Sequence, residues 1–221
     1  VAQDAWHRCN YNWGHAIEMK ISIYDFDGTI YTKDSSIEYA IYCLKLQPWR
    51  ILYALVFITI FLLYKLSLVS KETAKSWLFR IMIDDQKKIS GFWSTNILYF
   101  VPSTLDAMKE DIEKGYKIVI ITSSPRFLVS GALLLIEREA ELIATETMKG
   151  KPYIFTSKNC FGKEKVNRFN EWVKASNLLF EKVEIERVVS DSSEDEPLYN
   201  LGGCSYYLDK GCLRIGRPKK R

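Results

Sequence analysis

Apolar and polar positions follow two rhythms along this chain. Residues 20–24 alternate towards an apolar strand and run straight into Asp25-Phe26-Asp27-Gly28-Thr29. A helix is predicted over about 35–44, with Asp34 or Ser35 as its N-cap. Pro48 opens a long apolar stretch, 51–64, flanked by Arg50 and Lys65. Helical patterning continues over 70–83 and 86–99. Pro102-Ser103-Thr104 opens a further helix that stops at Gly115. The β-branched run 117–122 reads as a buried strand. Ser124-Pro125 then starts a helix to about 140, with Pro at a tolerated first-turn position. Residues 141–145 read as a strand, 151–156 as part of a hairpin, and 163–175 as a helix behind Gly162. A strand over 183–190 ends at Asp191, and 205–208 is a last short strand.

Strands and helices alternate in the outer parts, while 47–100 holds no clear strand. That pattern predicts an α/β fold: a three-layer, Rossmann-like parallel sheet with an inserted all-helical cap. The division is residues 19–35 and 104–221 as core and 36–103 as cap. Residues 1–18 read as an ill-defined extension, because they lack periodicity and an apolar signal segment, and Met19 directly precedes a strand.

Composition narrows the chemistry. With 48% hydrophobic and 26% charged residues, the chain is expected to fold as an ordinary globular protein. The net charge of +4 is partly terminal, in Arg217-Pro218-Lys219-Lys220-Arg221, which reads as a frayed solvated end. Those few charges lack interleaved aromatics, so nucleic acid is not an expected partner. The five cysteines form no C-x-x-C pair and suggest neither a disulfide framework nor a zinc site. A reducing cytoplasm is the expected location. Cys160 reads as a small buried or loop cysteine rather than a nucleophile. The only histidines are His7 and His15, both in the extension. Acid–base chemistry in the body therefore falls to carboxylates, Lys, Tyr or Cys.

In an open parallel sheet, ligands bind beyond the carboxyl ends of the strands. Three predicted strands end in polar residues: Asp25 and Asp27; Thr122, Ser123 and Ser124; Asp191 with Asp195. Lys165, or Lys163 two residues before it, stands at the start of a helix between the last two. Converging carboxylates repel, and a divalent cation with hard oxygen ligands, Mg²⁺, relieves that repulsion. Hydroxyl and backbone N–H groups at a helix start suit phosphate oxygens, and an ammonium adds a point charge. Such a set favours phosphoryl transfer to a carboxylate.

These segments resemble, in order, the four motifs of haloacid dehalogenase-type phosphatases: Asp25 to Thr29, Thr122-Ser123-Ser124-Pro125, Lys165, and Asp191 to Asp195. The resemblance covers about residues 19–215. It implies Asp25 as nucleophile and metal ligand. Asp27 would be general acid and base, with its backbone carbonyl on Mg²⁺. Thr122 and the Ser123 amide would hold phosphoryl oxygens, and Lys165 would stabilise Asp25 and the phosphate. Asp191 would be a direct metal ligand, with Asp195 acting directly or through water.

The insertion is similar to the helical cap of the phosphoserine-phosphatase-like branch. Asp34-Ser35, Gln47-Pro48 and Cys160 to Val166 look more like its bacterial phosphatidylglycerophosphatase type. Phosphoserine phosphatases place a Glu where Asp34 stands, which argues against phosphoserine as substrate. The expected function is Mg²⁺-dependent hydrolysis of a phosphomonoester on a small molecule. The alternative is a membrane-associated phosphatase of a lipid phosphate. A non-catalytic phosphate-binding or interaction protein on the same fold is the rival of another class.

The apolar run leaves two readings open. Its roughly 14 residues give about 21 Å of helix, against about 20 residues for a bilayer core. It reads first as a buried or surface-docking cap helix; the second reading is a membrane contact through 49–69 at the inner face of the cell membrane. Trp49 and Tyr64, beside charges at its two ends, favour the second.

Overall fold

The computed structural model of the protein describes residues 18–137, 139–176, 182–209 and 211–218. The reading of the extension and its histidines lies outside them, apart from Glu18, which opens the first strand. The three residues that end the basic tail lie outside them as well.

Six strands form the main sheet: β1 (Glu18–Tyr24), β2 (Lys117–Pro125), β3 (Glu141–Thr145), β6 (Lys182–Val189), β7 (Cys204–Asp209) and β8 (Cys212–Ile215), in the order β3-β2-β1-β6-β7-β8. All neighbours are parallel except β7 and β8, a closing hairpin. The chain leaves β1 towards β2 and β3, then returns to β6 on the other flank. The ends of β1, β2 and β6 therefore meet at a topological switch point, where crevices form.

Alternation along the strands builds a core on each face, as a parallel sheet requires. Ile21, Ile23, Val119 and Ile121 face α7 (Lys163–Ala175) and α8 (Glu196–Tyr199) through Phe169 and Leu198. Tyr24, Ile118 and Ile120 face the opposite, more aromatic cluster. The helical insertion joins that cluster through α1 (Ser35–Leu46), α2 (Ile51–Lys65), α3 (Lys71–Ile81) and α4 (Gln86–Thr95), and α5 (Pro102–Glu113), which follows it, packs on β2 and β8. Asp34, not Ser35, caps α1, accepting from the Ile37 N–H at 2.9 Å.

Trp93 on α4 holds the insertion to the core. It is fully buried, donates from Nε1 to the Leu128 carbonyl at 2.8 Å, and meets Phe26 edge-on at 5.7 Å between centroids. A second clasp is the hairpin β4 (Thr147–Met148) and β5 (Lys151–Phe155), which packs on α3: Ser76 Oγ donates to the Tyr153 carbonyl at 2.9 Å, and Phe79 meets Phe155.

Several expectations need correction. The strand predicted to end at Thr122 continues to Pro125, whose partner on β3 is Thr145. Pro125 is thus the N-cap of α6 (Arg126–Ile136), outside the first turn. Strand β8 was not read from the sequence; with Ile215 facing solvent it lacks a buried apolar stripe. The basic tail is not frayed at Arg217, which donates to Asn200 Oδ1 and the Tyr199 carbonyl. The apolar helix α2 docks along the insertion, yet only Ala54 of it is buried. Pro48–Lys65 is long and apolar enough to cross a membrane. Arg50, read as a flanking charge, points inward and donates to the carbonyls of Arg80, Ile81 and Met82. It satisfies the carbonyl end of α3 and pins the start of α2 to it.

Replacing Trp93 by Ala removes a filled centre and leaves a cavity. Urea unfolding of Trp93→Ala should show a loss of about 3–5 kcal/mol; a loss below about 1 kcal/mol would contradict the anchoring role.

Candidate active site

The chain reaches the switch point at Asp25, whose N–H donates to the Val189 carbonyl at 2.9 Å, extending the ladder between β1 and β6 by one rung. Phe26 turns into the aromatic core. Its carbonyl accepts from the Ile30 and Tyr31 N–H groups, closing a tight loop. Gly28 carries φ +76°, and a Cβ on it would stand 2.2 Å from Asp191 Oδ2. Glycine is therefore required here for backbone conformation and for space. The same close approach puts the Asp191 carboxylate directly against the first loop. The Asp191 N–H bonds Thr29 Oγ1 at 3.0 Å, which ties the two loops together.

Lys165 lies in the first turn of α7, because Gly162 at φ +55° turns the chain into the helix. The open choice between two lysines is decided by place: Lys163 is exposed and Lys165 is buried. Lys165 Nζ donates to Asp25 Oδ1 at 2.9 Å and to Asp195 Oδ2 at 2.7 Å. Ser190 Oγ also donates to Asp195 Oδ2, at 2.7 Å. Asp195 thus stands behind the ammonium, while Asp191 is exposed. A cavity of about 750 Å³ opens beside Asp191, between Gly28, Glu194, Tyr207 and Arg217.

Asp27 occupies a different environment. Its Oδ1 accepts from the Ser35 N–H at 2.8 Å and its Oδ2 from Ser124 Oγ at 2.5 Å. Ser35 and Ser36 hydroxyls in turn contact Ser124 Oγ. Thr122 is buried and its Oγ1 accepts from the Ser124 N–H at 3.1 Å. The Ser123 carbonyl accepts from Lys75 Nζ at 2.7 Å and from Thr145 Oγ1 at 2.9 Å.

The electrostatics follow from this crowding. Burial pushes Asp25 up to about 8, opposed by the Lys165 ammonium and reinforced by the charges of Asp195 and Asp191. Burial, then Asp34, pushes Asp27 up to about 6 against the hydrogen bonds from Ser124 and Ser35. Lys165 is raised overall: its burial opposes the charge, but Asp25 and Asp195 outweigh it. Cys160 is sealed in, and burial raises its thiol to about 11, which leaves it inert.

Three functional candidates were missed by the sequence reading. Ser124 was quoted within its motif but given no role. Lys71 and Lys75, four apart on α3, reach the same centre. Lys75 is pushed down to about 8 by burial, against the pull of Asp34 and Asp27, and donates to Asn159 Oδ1 as well as to Ser123. Lys71 lies over the Phe161 ring and bonds Glu194 Oε2 at 3.4 Å. Lysines on a polar helix ordinarily read as a solvated face, so only the packing of α3 reveals them.

Among the described residues, no three carboxylates or other ligand side chains stand close enough to hold a metal by themselves. The donor set still suits a hard cation. Asp25 and Asp191 converge at the Gly28 loop with a surplus of negative charge, and Mg²⁺ takes few protein carboxylates beside water and substrate oxygens. With the Asp27 carboxylate held by Ser35 and Ser124, a metal ligand from this residue would have to be its backbone carbonyl.

A model of haloacid dehalogenase-like hydrolases matches residues 23–199. No curated protein matches the chain. Among solved structures, a protein of unknown function from Bordetella pertussis Tohama I gives a TM-score of 0.73 at 16% identity, over 85% of this chain and 89% of that one. A phosphoserine phosphohydrolase-like protein from Francisella tularensis subsp. tularensis SCHU S4 gives 0.52 at 18% identity, over 83% of each chain. A phosphoserine phosphatase solved as a phospho-aspartyl intermediate analogue gives 0.57 at 14% identity, over 85% of each. At such identities the likeness is one of fold.

Removing the buried ammonium leaves two buried carboxylates facing each other. Lys165→Met should cost about 3–5 kcal/mol of stability near pH 8. The cost should be larger at pH 9.5 than at pH 6: at the higher pH the parent's Asp25, raised by burial to about 8, is ionised against Lys165, whereas the variant, without the ammonium that holds that carboxyl down, still keeps its proton. Equal urea midpoint shifts at both pH values would refute this.

Proposed function

The chain belongs to the haloacid dehalogenase-like hydrolases, and from that premise we propose that it hydrolyses phosphate monoesters through an aspartyl-phosphate on Asp25, with Mg²⁺ as cofactor. The observation that carries this reading is the buried Asp25 at the end of β1, 2.9 Å from Lys165 Nζ, with Asp27 two residues on in a separate hydroxyl-lined setting.

Asp25, the Asp27 carbonyl and Asp191 would hold the ion, with Asp195 in support, and it would neutralise charge on the phosphoryl group. Lys165 orients the Asp25 carboxylate and shares that neutralisation. Thr122 and the Ser123 N–H, at the end of β2, would accept the phosphoryl oxygens. In the first step an Asp25 oxygen bonds to phosphorus, and the bond from phosphorus to the leaving oxygen breaks. Asp27 gives its proton to that oxygen. In the second step water attacks phosphorus, Asp27 takes the water proton, and the bond to Asp25 breaks to release phosphate. A carboxyl raised to about 6 suits both halves of that exchange.

The substrate is a phosphorylated small molecule or a lipid phosphate. Asp34 in place of Glu argues against phosphoserine. The lipid reading, of phosphatidylglycerophosphatase type and at the inner face of a cytoplasmic membrane, is favoured by the exposed apolar surface of α2.

Two measurements test the chemistry. Asp25→Asn should lower magnesium-dependent phosphate release from p-nitrophenyl phosphate by more than about 10³-fold; a residue of about a tenth of parent activity excludes a nucleophilic role. For alkyl phosphates, kcat/KM should fall as pH rises through about 6, since Asp27 must be protonated to assist departure. With p-nitrophenyl phosphate, whose leaving group needs no proton, that alkaline limb should vanish. Parallel profiles for both substrates would remove Asp27 from the acid role.

A further inference from the structure

Helix α2 has an inner and an outer face, and both are apolar. Tyr53, Ala54, Phe57, Ile60, Leu63 and Tyr64 turn towards the insertion. On the other side Leu52, Leu55, Ile58 and Leu62 are 65%, 56%, 54% and 58% exposed. The polar exception on that side is Thr59, whose hydroxyl donates back to the Leu55 carbonyl at 3.3 Å. The outer face therefore asks for no hydrogen bond from water. A solvated helix of a globular protein carries charge there instead.

The charge around the helix is of one sign. From Tyr39 to Lys71 the sequence holds no acidic residue; its charged residues are Lys45, Arg50, Lys65 and Lys71. Arg50 is committed to the carbonyls that end α3. Lys45, in the last turn of α1, and Lys65, at the end of α2, are exposed, as is Trp49, and Tyr64 is half-buried. Apolar surface bounded by lysine and interfacial aromatics matches an anionic bilayer surface.

Length alone would permit a span, since 18 residues make about 27 Å of helix. The packing opposes it. The start of α2 is bonded to the end of α3, so the two form an antiparallel pair. A span would drag Lys71, Glu72, Lys75 and Arg80 of α3 into hydrocarbon.

We propose that α2 lies flat in an anionic bilayer surface, its outer face at the acyl boundary and Lys45 and Lys65 at the lipid phosphates. Helix α3 then stands between the bilayer and the catalytic strands, with Lys71 and Lys75 turned to the site. The centre is thereby held roughly one helix diameter, about 10 Å, above the docking helix. Resting on the proposed phosphatase activity, the consequence is that the site meets phosphomonoesters carried on lipid headgroups.

The test is co-sedimentation of the full chain with phosphatidylcholine vesicles, with and without phosphatidylglycerol, at low and high salt. The parent is expected to pellet with the anionic vesicles and to be released by alkaline carbonate. Leu55→Glu with Leu62→Glu should weaken binding at least about tenfold, by placing charges on the immersed face. Hydrolysis of p-nitrophenyl phosphate in solution and far-UV circular dichroism should stay unchanged. Lys45→Glu with Lys65→Glu should remove the preference for anionic vesicles while leaving the apolar face intact. A parent that stays in the supernatant overturns the proposal, as does equal binding by the double Glu variant. A parent dimer lost in that variant without vesicle binding would make a second copy the occupant and overturn it too. Resistance to carbonate would establish a span instead. Binding is read without turnover, so a chain that docks but does not hydrolyse overturns only the phosphatase reading.

Discussion

One buried ammonium sets the terms for the whole centre. Lys165 lies between Asp25 and Asp195, with all three side chains removed from bulk water. A single charge at that depth would cost several kcal/mol, so none of the three is tolerable without the others. Their meeting needs three distant parts of the chain at once: the end of β1, the turn after β6, and the first turn of α7. The packing of Phe169 under the sheet is what places α7, and hence the lysine. The balance is also incomplete, because two carboxylates face one cation and Asp191 adds to the surplus. A site left negative in its own fold would favour a divalent cation, and would favour a phosphate only once such a cation was present.

Helix α3 links this centre to the rest of the insertion. One side is bonded to α2 through Arg50, another takes the β4–β5 hairpin through Ser76 and Phe79, and a third sends Lys75 to the Ser123 carbonyl. The Ser123 turn is thus fastened to the insertion by a part-buried lysine hydrogen bond, not by apolar contact alone. Such a bond is directional and cannot slide, so a shift of α3 is felt at Ser123. A ligand that moves the cap would have to break or carry this contact, which would make the cap part of the proposed phosphate site.

The strands and helices carrying the core could be read from periodicity, since each buries an apolar stripe against the sheet. The acidic and hydroxyl ends at Asp25, Asp27, Thr122, Asp191 and Asp195 could be read because strand ends in a parallel sheet converge. What escaped has physical causes. Strand β8 is stabilised by its hairpin partner and not by a buried face, so no alternation announces it. The choice of Lys165 over Lys163 depends on helical phase after Gly162. Lys71 and Lys75 look like solvated residues until α3 is laid across the strand ends. The exposure of α2 was equally hidden, since an apolar run has the same composition whether protein or lipid covers it.

Two aspartates one residue apart can hold different tasks only if something forces their surroundings to differ. Phe26 does this. It lies between them, fully buried and packed edge-on to Trp93. Its ring fixes the chain in the aromatic core, which leaves Asp25 in line with the strand and beside Lys165. After it the backbone turns, with Gly28 in the left-handed region, and Asp27 is delivered to the Ser35 N–H and the Ser124 hydroxyl. Burial raises both carboxyls, but one is thereby held against a cation that favours its charged form and the other among neutral donors. That difference in surroundings is what the proposed nucleophile and the proposed acid would need. It originates in a hydrophobic side chain, so the aromatic core and the proposed division of roles between Asp25 and Asp27 rest on the same packing.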